Sequence, residues 1–547
     1  MKRVLRRLAS PVVSLLIPWS VTVALGMAAI GDPGAPMDEA SLLVYPGLVL
    51  AGRLPHRDFQ TFYGPGNLWI LGFLYHVLGT AVEVERAIGI GYRLILVTAV
   101  FLLCLPGGRL VSAAGAFMVA LILGNDVPAA ITWLPAMTLV VSSIVALLKA
   151  HGSLRHAAAW AGVSGLTASV TLLFRPELGA AELLAAAPAL YWGAPRLKSG
   201  YIVGFIVGLV PLAGTILTAT PQAFFRDQVV DAVFRSGPGR RLPLVGRELT
   251  MDLLVVFLML VPLTVVAAAA LRGHRQKDRA TIGLTCATFL GIALIPEAVA
   301  RLDFGHVALA AVVTVGVLPL AVDTLLYRST GRVAFRRAKT LAFSMALLTI
   351  GAPVYVINTD AIHLGRFWWP NQDSRYYADS GHRHWPVASS LQKAEIESVL
   401  ADVRSISPPG TNLFVGPADL RRTNSNDSFF YYLLPELEVR AFYIEMEPGT
   451  ANRTGSGLSR DIALASTVIL THSYDAWDEP NASMNFGSDE PNILIRASFC
   501  LQAREGPYEV LRRCQQSALD ESRTAPGSRS SPARAEPVTV SRSGEGS

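Results

Sequence analysis

Apolar runs of about 15 to 20 residues recur along the first two thirds of this 547-residue chain, and runs of that length are what a helix needs to cross bilayer hydrocarbon. Lipid offers the backbone no hydrogen-bond partners, so such a chain must satisfy its amides internally, as a bundle of helices. The first run, Pro11 to Ile30, follows Lys2, Arg3, Arg6 and Arg7. A cleaved signal peptide also begins this way, but its apolar region is usually shorter. The run therefore reads as a retained first span with a cytoplasmic basic tail.

Further candidate spans fall near 67 to 79, 88 to 105, 110 to 124, 129 to 148, 157 to 174, 178 to 192, 201 to 220, 251 to 271, 280 to 296, 306 to 326 and 340 to 357. Composition agrees: 51% of residues are hydrophobic, 16% are charged and the mean hydropathy is +0.40, more apolar than a soluble domain. The net charge of +6 does not point to nucleic acid, because the basic residues sit in short clusters between apolar runs.

Those clusters fix an expected sidedness. Pro106 to Arg109, Lys149 to His156, Pro195 to Lys198, Arg272 to Arg279 and Tyr327 to Lys339 are basic and should be cytoplasmic. Asn125 with Asp126, Arg175 to Glu177, Pro221 to Thr250 and Glu297 to His306 carry acids or mixed charge and should face outward. Alternation then places everything after Ile357 outside, which requires an odd number of crossings. The segment Asn67 to Gly79, short and bounded by Gly64, Pro65, Gly66 and Gly79, is the one expected not to cross. The fold class expected is a polytopic α-helical membrane protein of about 11 to 13 transmembrane helices, with eleven crossings favoured and a small extracytoplasmic α/β domain at the C-terminus.

Residues 1–357 form the expected membrane domain, with a first outer loop at 31–66, and residues 358–516 the polar domain. Trp368, Trp369, Tyr376 and Tyr377 read as an aromatic belt leading out of the membrane. Residues 392–404 have helical spacing, Asn412 to Gly416 and Thr467 to Thr471 read as buried strands, and Ser498 to Cys514 as a hairpin. Residues 517–547, rich in Ser, Arg, Pro and Glu, are expected to be disordered. Cys104 and Cys286 lie in apolar runs and should be inert. Cys500 and Cys514 are either bridged, if the domain faces an oxidising compartment, or two free thiols.

The first outer loop concentrates the candidate chemistry. Asp38 and Glu39 stand just beyond the first span, followed by Gly52-Arg53-Leu54-Pro55-His56-Arg57-Asp58-Phe59 and Tyr63-Gly64-Pro65-Gly66. Acids beside a membrane span are often functional. Alternatively they favour the positive end of a helix that begins at Ala40.

The acidic pair, the interfacial helix after it, Arg57-Asp58-Phe59 and Tyr63-Gly64-Pro65-Gly66 together resemble the first outer loop of C-type (GT-C) glycosyltransferases, which use polyprenyl-phosphate sugars. Phe174-Arg175-Pro176-Glu177-Leu178-Gly179 and Arg301-x-Asp303-x-x-His306 resemble motifs of related envelope transferases, and Gly416-Pro417-Ala418-Asp419-Leu420 and Glu445-Met446-Glu447-Pro448-Gly449 resemble their polar domain. The resemblance implies a GT-C-like fold and a polyprenyl-phosphate sugar as donor. It implies an envelope glycan, lipid or protein as acceptor, and an acid of the first outer loop as general base, matched here by Asp38 with Glu39 second.

A lipid-phosphate donor needs a base on the acceptor hydroxyl and cations on the departing phosphate. Arg175 and Arg301 suit the phosphate because guanidinium binds it bidentately, and His306 can add a hydrogen bond. Arg57, Asp58, Tyr63, Asp126, Glu177 and Asp303 complete the expected substrate-binding set. Each has a plainer reading: Arg175 paired with Glu177, Arg301 with Asp303 or Glu297, Asp126 as a helix cap, Arg57 and Asp58 as a loop ion pair. His56 and His76 read as packed or interfacial, and no His/Asp cluster has metal-ligand spacing, although a divalent ion on the outer acids stays open. The amphipathic segment Pro221 to Phe234 reads as interfacial or as a plain loop helix. No Walker loop, dinucleotide fingerprint or Gly-x-Ser-x-Gly element occurs. A transporter of lipid-linked precursors and a non-catalytic envelope scaffold are the alternatives.

Overall fold

The computed structural model describes residues 11–514 apart from 125–126, 154, 238–248, 331–374, 424 and 474–481. The candidate span 340 to 357, Trp368 and Trp369, Asp126, the basic N-terminal tail and the expected disordered tail lie outside the described residues.

The membrane part runs α1 (Pro11–Ala28), α2 (Asp38–Leu50), α3 (Gly66–Leu78), α4 (Val82–Leu103), α5 (Arg109–Gly124), α6 (Trp133–His151), α7 (Ala157–Phe174), α8 (Pro176–Trp192), α9 (Pro195–Gly208), α10 (Val210–Ala219), α11 (Pro221–Phe225), a π-helix (Arg226–Arg235), α12 (Leu249–Gly273), α13 (Arg279–Ala293), α14 (Ile295–Ala300), α15 (Phe304–Gly316) and α16 (Leu318–Thr330). Among the described residues six stretches are long and apolar enough to cross a membrane: Val82–Leu103, Trp133–His151, Ala157–Phe174, Pro195–Ala219, Arg279–Ala300 and Phe304–Leu326. Shorter apolar helices accompany them at Val13–Ala28, Gly66–Leu78, Arg109–Gly124 and Phe257–Gly273. Proline at the first turn of α10, α14 and α16 divides apolar runs into pairs of shorter helices, because it lacks the donor that would continue the preceding helix. Helix α3 has 13 residues, a rise of about 20 Å against a hydrocarbon thickness of about 30 Å.

Helix α4 begins at Val82, six residues before the expected span, because Glu83, Glu85 and Arg86 interrupt its apolar run. All three have partners outside the helix: Glu83 meets His384, Glu85 accepts from the Ala130 amide and Arg86 meets Glu39. Farther along, Arg93 donates to the carbonyls of Leu123, Val127 and Ala129, and the Tyr92 hydroxyl to Asn67. Helix α4 thus ties several outer segments together.

Helices α7 and α9 lie in backbone contact. A Cβ at Gly204 would sit 1.9 Å from the Gly162 carbonyl oxygen, and one at Gly165 would sit 1.9 Å from that of Tyr201. Glycines 200, 204 and 208, spaced by four, give α9 the flat face this approach needs.

After residue 374 come the hairpin β1 (Tyr376–Ser380) and β2 (Arg383–Val387), then α17 (Ser390–Ile406), β3 (Asn412–Pro417), α18 (Phe429–Leu433), β4 (Glu438–Val439), α19 (Leu458–Leu464), β5 (Thr467–Thr471), α20 (Glu490–Ser498), β6 (Phe499–Glu505) and β7 (Tyr508–Arg513). The main sheet has the order β4-β3-β5-β7-β6, parallel across β4, β3 and β5 and antiparallel from β5 to β6. Cys500 and Cys514 form a disulfide across the base of the β6–β7 hairpin, and Cys104 and Cys286 are buried thiols. Tyr376 and Tyr377 open the β1 strand. Their strand pairs with β2, whose backbone reaches the first outer loop: Gly34 donates to the Pro386 carbonyl at 3.1 Å. The sheet region and the bundle share one hydrophobic core, which runs from α2 through Trp385, Phe429 and Phe430.

Candidate functional site

Asp38 opens α2 with its side chain exposed. The helix starts two residues before the expected Ala40, and its N-cap, Met37, supplies no side-chain hydrogen bond. Asp38 therefore occupies the positive end of the helix dipole while its side chain remains exposed. Glu39 is only 1% exposed and turns the other way, onto Arg86. Arg86 Nε and Nη2 donate to its two oxygens at 2.6 and 2.9 Å, and Arg86 Nη1 donates to the carbonyls of Ile30 and Asp32 at 2.7 and 2.8 Å. One guanidinium thus joins both ends of the turn that precedes Asp38. Glu39 supports the loop, and Asp38 is the open acid of the pair.

Arg57 and Asp58 pair with each other at 2.8 Å, and Asp58 also accepts from the Leu54 amide at 2.8 Å. The Arg57 hydrogen bond holds the Asp58 carboxyl below the usual carboxylate range, against a smaller opposing effect of burial. These contacts close a tight turn. Beside it His56, buried and at φ 67°, meets Asp227 at 3.4 Å, while Gln228 Nε2 approaches its other ring nitrogen at 3.4 Å. Gln60 donates to Asp231 at 3.2 Å. The first outer loop is therefore anchored on the π-helix at Arg226–Arg235, a conformation that recurs at functional sites.

Tyr63, Arg175, Glu177 and Glu297 form one group. The Arg175 guanidinium lies 5.2 Å from the Tyr63 ring centroid, a cation–π distance. Its Nε donates to Glu177, and its Nη2 donates to Glu297 at 2.9 Å. Burial disfavours the Arg175 charge, but Glu177 and Glu297 outweigh it and raise its pKa further. The Tyr63-Gly64-Pro65-Gly66 turn is held against this group by the Gly64 amide, which donates to the Phe174 carbonyl at 2.8 Å. Its glycine is obligatory, since a Cβ at Gly64 would lie 2.1 Å from the Leu173 carbonyl oxygen.

Arg301, at the C-terminus of α14, lies one turn beyond Glu297. It donates to Asp303 at 2.8 Å, and Asp303 Oδ1 accepts from the His306 amide and ring, each at 2.9 Å. Burial pushes the Asp303 carboxyl up, but His306 and Arg301 together hold it well below the usual range. Asp303 is thus both the N-cap of α15 and a bridge between the two cations. The structure joins Tyr63, Arg175, Glu177 and Glu297 in one group and Arg301, Asp303 and His306 in a second that begins one helical turn after Glu297, leaves Arg57 and Asp58 in their own turn, and does not describe Asp126. Among the described residues no group of three His, Cys, Asp or Glu side chains could hold a metal ion.

An apolar groove of about 390 Å³ lies beside this group, lined by Gly66, Trp69, Ile70, Phe73 and Leu74 of α3 and by Leu173 and Phe174 of α7. Phe174, which lines the groove, directly precedes Arg175 in the chain. Trp69 and Phe73 are 40% and 66% exposed, as side chains facing lipid can be.

Compared with solved structures, the chain aligns over 92% of its length with 98% of ArnT from Cupriavidus metallidurans bound to undecaprenyl phosphate, at 12% identity and a TM-score of 0.56. The chain has the GT-C membrane fold. It also aligns over 92% of its length with 74% of the archaeal oligosaccharyltransferase AglB from Archaeoglobus fulgidus, in complex with an inhibitory peptide and a dolichol-phosphate, at 13% identity and a TM-score of 0.50. No family model and no curated protein matches by sequence. Within this GT-C fold, Arg86 and Asp227 are residues that sequence reading did not single out. A charge inside an otherwise apolar helix was the available signal for Arg86. For Asp227 there was none beyond the amphipathic segment that contains it.

Proposed function

We propose that this protein is a glycosyltransferase that moves a sugar from a polyprenyl-phosphate carrier to an acceptor of the cell envelope on the extracytoplasmic face. The observation that carries the reading is an apolar groove whose lining residue Phe174 is followed directly by the part-buried, acid-paired Arg175. A prenyl chain suits the groove between α3 and Phe174, and its phosphate suits Arg175. Glu177, 41% exposed, is the Arg175 partner that the phosphate would displace. The fold supports the same donor class: the ArnT structure holds undecaprenyl phosphate and the AglB structure a dolichol-phosphate.

In the proposed reaction Asp38 takes the proton of the acceptor hydroxyl, and that oxygen attacks C1 of the sugar. The C1–O bond to phosphate breaks with its electron pair staying on the phosphate oxygen, so polyprenyl phosphate leaves and the anomeric centre inverts. Arg175, together with Arg301 and His306 on the neighbouring turn, offsets the charge that develops on the phosphate. Tyr63 fixes the plane of the Arg175 guanidinium from below. Asp303, Glu177, Arg57 and Asp58 position loops and cations.

The reading is tested in proteoliposomes containing the purified protein, a radiolabelled polyprenyl-phosphate sugar and envelope extract as acceptor. Label is expected on the acceptor with release of free polyprenyl phosphate. Redistribution of intact donor between leaflets, with no cleavage, would instead establish a transporter.

A further inference from the structure

A second cavity, of about 430 Å³, lies where the first turn of α4 meets the β1–β2 hairpin. Glu83 forms one wall, and Arg375, Tyr377, Asp379, His384 and Lys393 form the others. Its back is the start of the first outer loop. A Cβ at Gly31 would lie 2.8 Å from the Arg375 side chain and 2.9 Å from the Tyr377 hydroxyl. The same hairpin holds that loop through the Gly34–Pro386 hydrogen bond, and Arg375 donates to the Ala28 carbonyl at 3.3 Å. The cavity therefore abuts the start of the loop that carries Asp38.

Its lining selects an occupant. Charges of both signs line it: Lys393 pairs with Asp379 at 3.0 Å, Arg375 is a second cation, and Glu83 is hydrogen-bonded to His384. A strongly anionic or cationic ligand would meet like charge on some wall. Sugar hydroxyls suit both members of each pair, because a hydroxyl both donates and accepts, and bonds to ionised partners are stronger than neutral ones. The Tyr377 ring lines the cavity, perpendicular to His384 at 5.2 Å between ring centroids, and an aromatic ring suits the C–H side of a sugar. The volume falls within the range of small-molecule sites.

We infer that this cavity binds a saccharide unit of the acceptor, so that the β1–β2 hairpin selects the glycan presented to Asp38. The inference rests on the glycosyltransferase reading for its meaning, but the binding can be measured without any turnover.

Full-length protein in nanodiscs is examined by saturation-transfer NMR with methyl glycosides of mannose, arabinose and galactose. At least one glycoside is expected to receive saturation from the wild type. Tyr377→Ala and Asp379→Asn should weaken its apparent affinity about tenfold, whereas Asp38→Asn should bind as the wild type does. Both substitutions lie at half-exposed or exposed positions, and an unchanged melting curve confirms that each variant is folded. A wild type that binds none of the three, or Tyr377→Ala and Asp379→Asn proteins that bind undiminished, overturns the site whether or not sugar transfer is observed. Binding that depends on these residues in a protein unable to cleave a lipid-phosphate sugar upholds the site and overturns the transferase reading instead.

Discussion

Arg86 and Glu39 meet through two parallel hydrogen bonds of 2.6 and 2.9 Å, with both side chains sealed from solvent. Two charges taken out of water stay stable only if each is paired and its remaining donors are satisfied. Here the surplus guanidinium donor reaches the carbonyls of Ile30 and Asp32. The pair therefore fixes the turn from which Asp38 projects. Either Arg86→Met or Glu39→Gln should destabilise the protein by about 3–5 kcal/mol, because each strands a buried charge. The double variant should recover much of the loss. Thermal unfolding in detergent measures this, and additive losses in the double variant would contradict the pairing.

Arg175 should not tolerate lysine. Arg175→Lys keeps the charge but loses the fork that serves Glu177 and Glu297 and would serve a phosphate bidentately. The expected result is a rise of about tenfold in the KM for a polyprenyl-phosphate sugar, equivalent to about 1.4 kcal/mol. An unchanged KM would remove Arg175 from the donor site.

Asp303 makes the stability of the protein sensitive to acid. Its carboxyl is held well below its ordinary value in the folded protein, so the stability it contributes is fully present above the ordinary carboxylate range and is lost as pH falls through the lower folded value. Asp303→Asn should therefore be less stable than the wild type at neutral pH. The difference should shrink as the pH drops below about 4. Melting temperatures of the two proteins between neutral and acid pH test this, and a gap that widens on acidification would contradict it.

The Cys500–Cys514 disulfide bears on sidedness. Isolated under non-reducing conditions with thiols blocked, the protein should show these two cysteines unreactive to maleimide. Cys500→Ser should lower stability by about 3 kcal/mol for a loop of this size. Free thiols at both positions in the native protein would contradict an extracytoplasmic sheet region.

Regular elements were legible where a single periodicity ran uninterrupted. Helix α7 occupies the expected 157 to 174, strand β5 the expected Thr467 to Thr471, and the β6–β7 hairpin the expected Ser498 to Cys514. Helix α4 was placed six residues late because its first turns carry charges whose partners lie on other segments, and hydropathy scores such charges as exposed. The same non-locality explains the site. Asp38, Arg175 and Arg301 were found as charges at the ends of apolar runs, but which acid of the Asp38–Glu39 pair stays open depends on Arg86, 47 residues away from Glu39. The π-helix and its buried contact with His56 arise from tertiary packing and leave no local pattern to read.

The proposed chemistry turns on Asp38. Transfer of radiolabelled sugar from a polyprenyl-phosphate donor should be lost in Asp38→Asn membranes that contain the variant at wild-type abundance, with donor binding retained, since the substitution removes the base and leaves Arg175 and the groove intact. Undiminished transfer by Asp38→Asn would contradict the account.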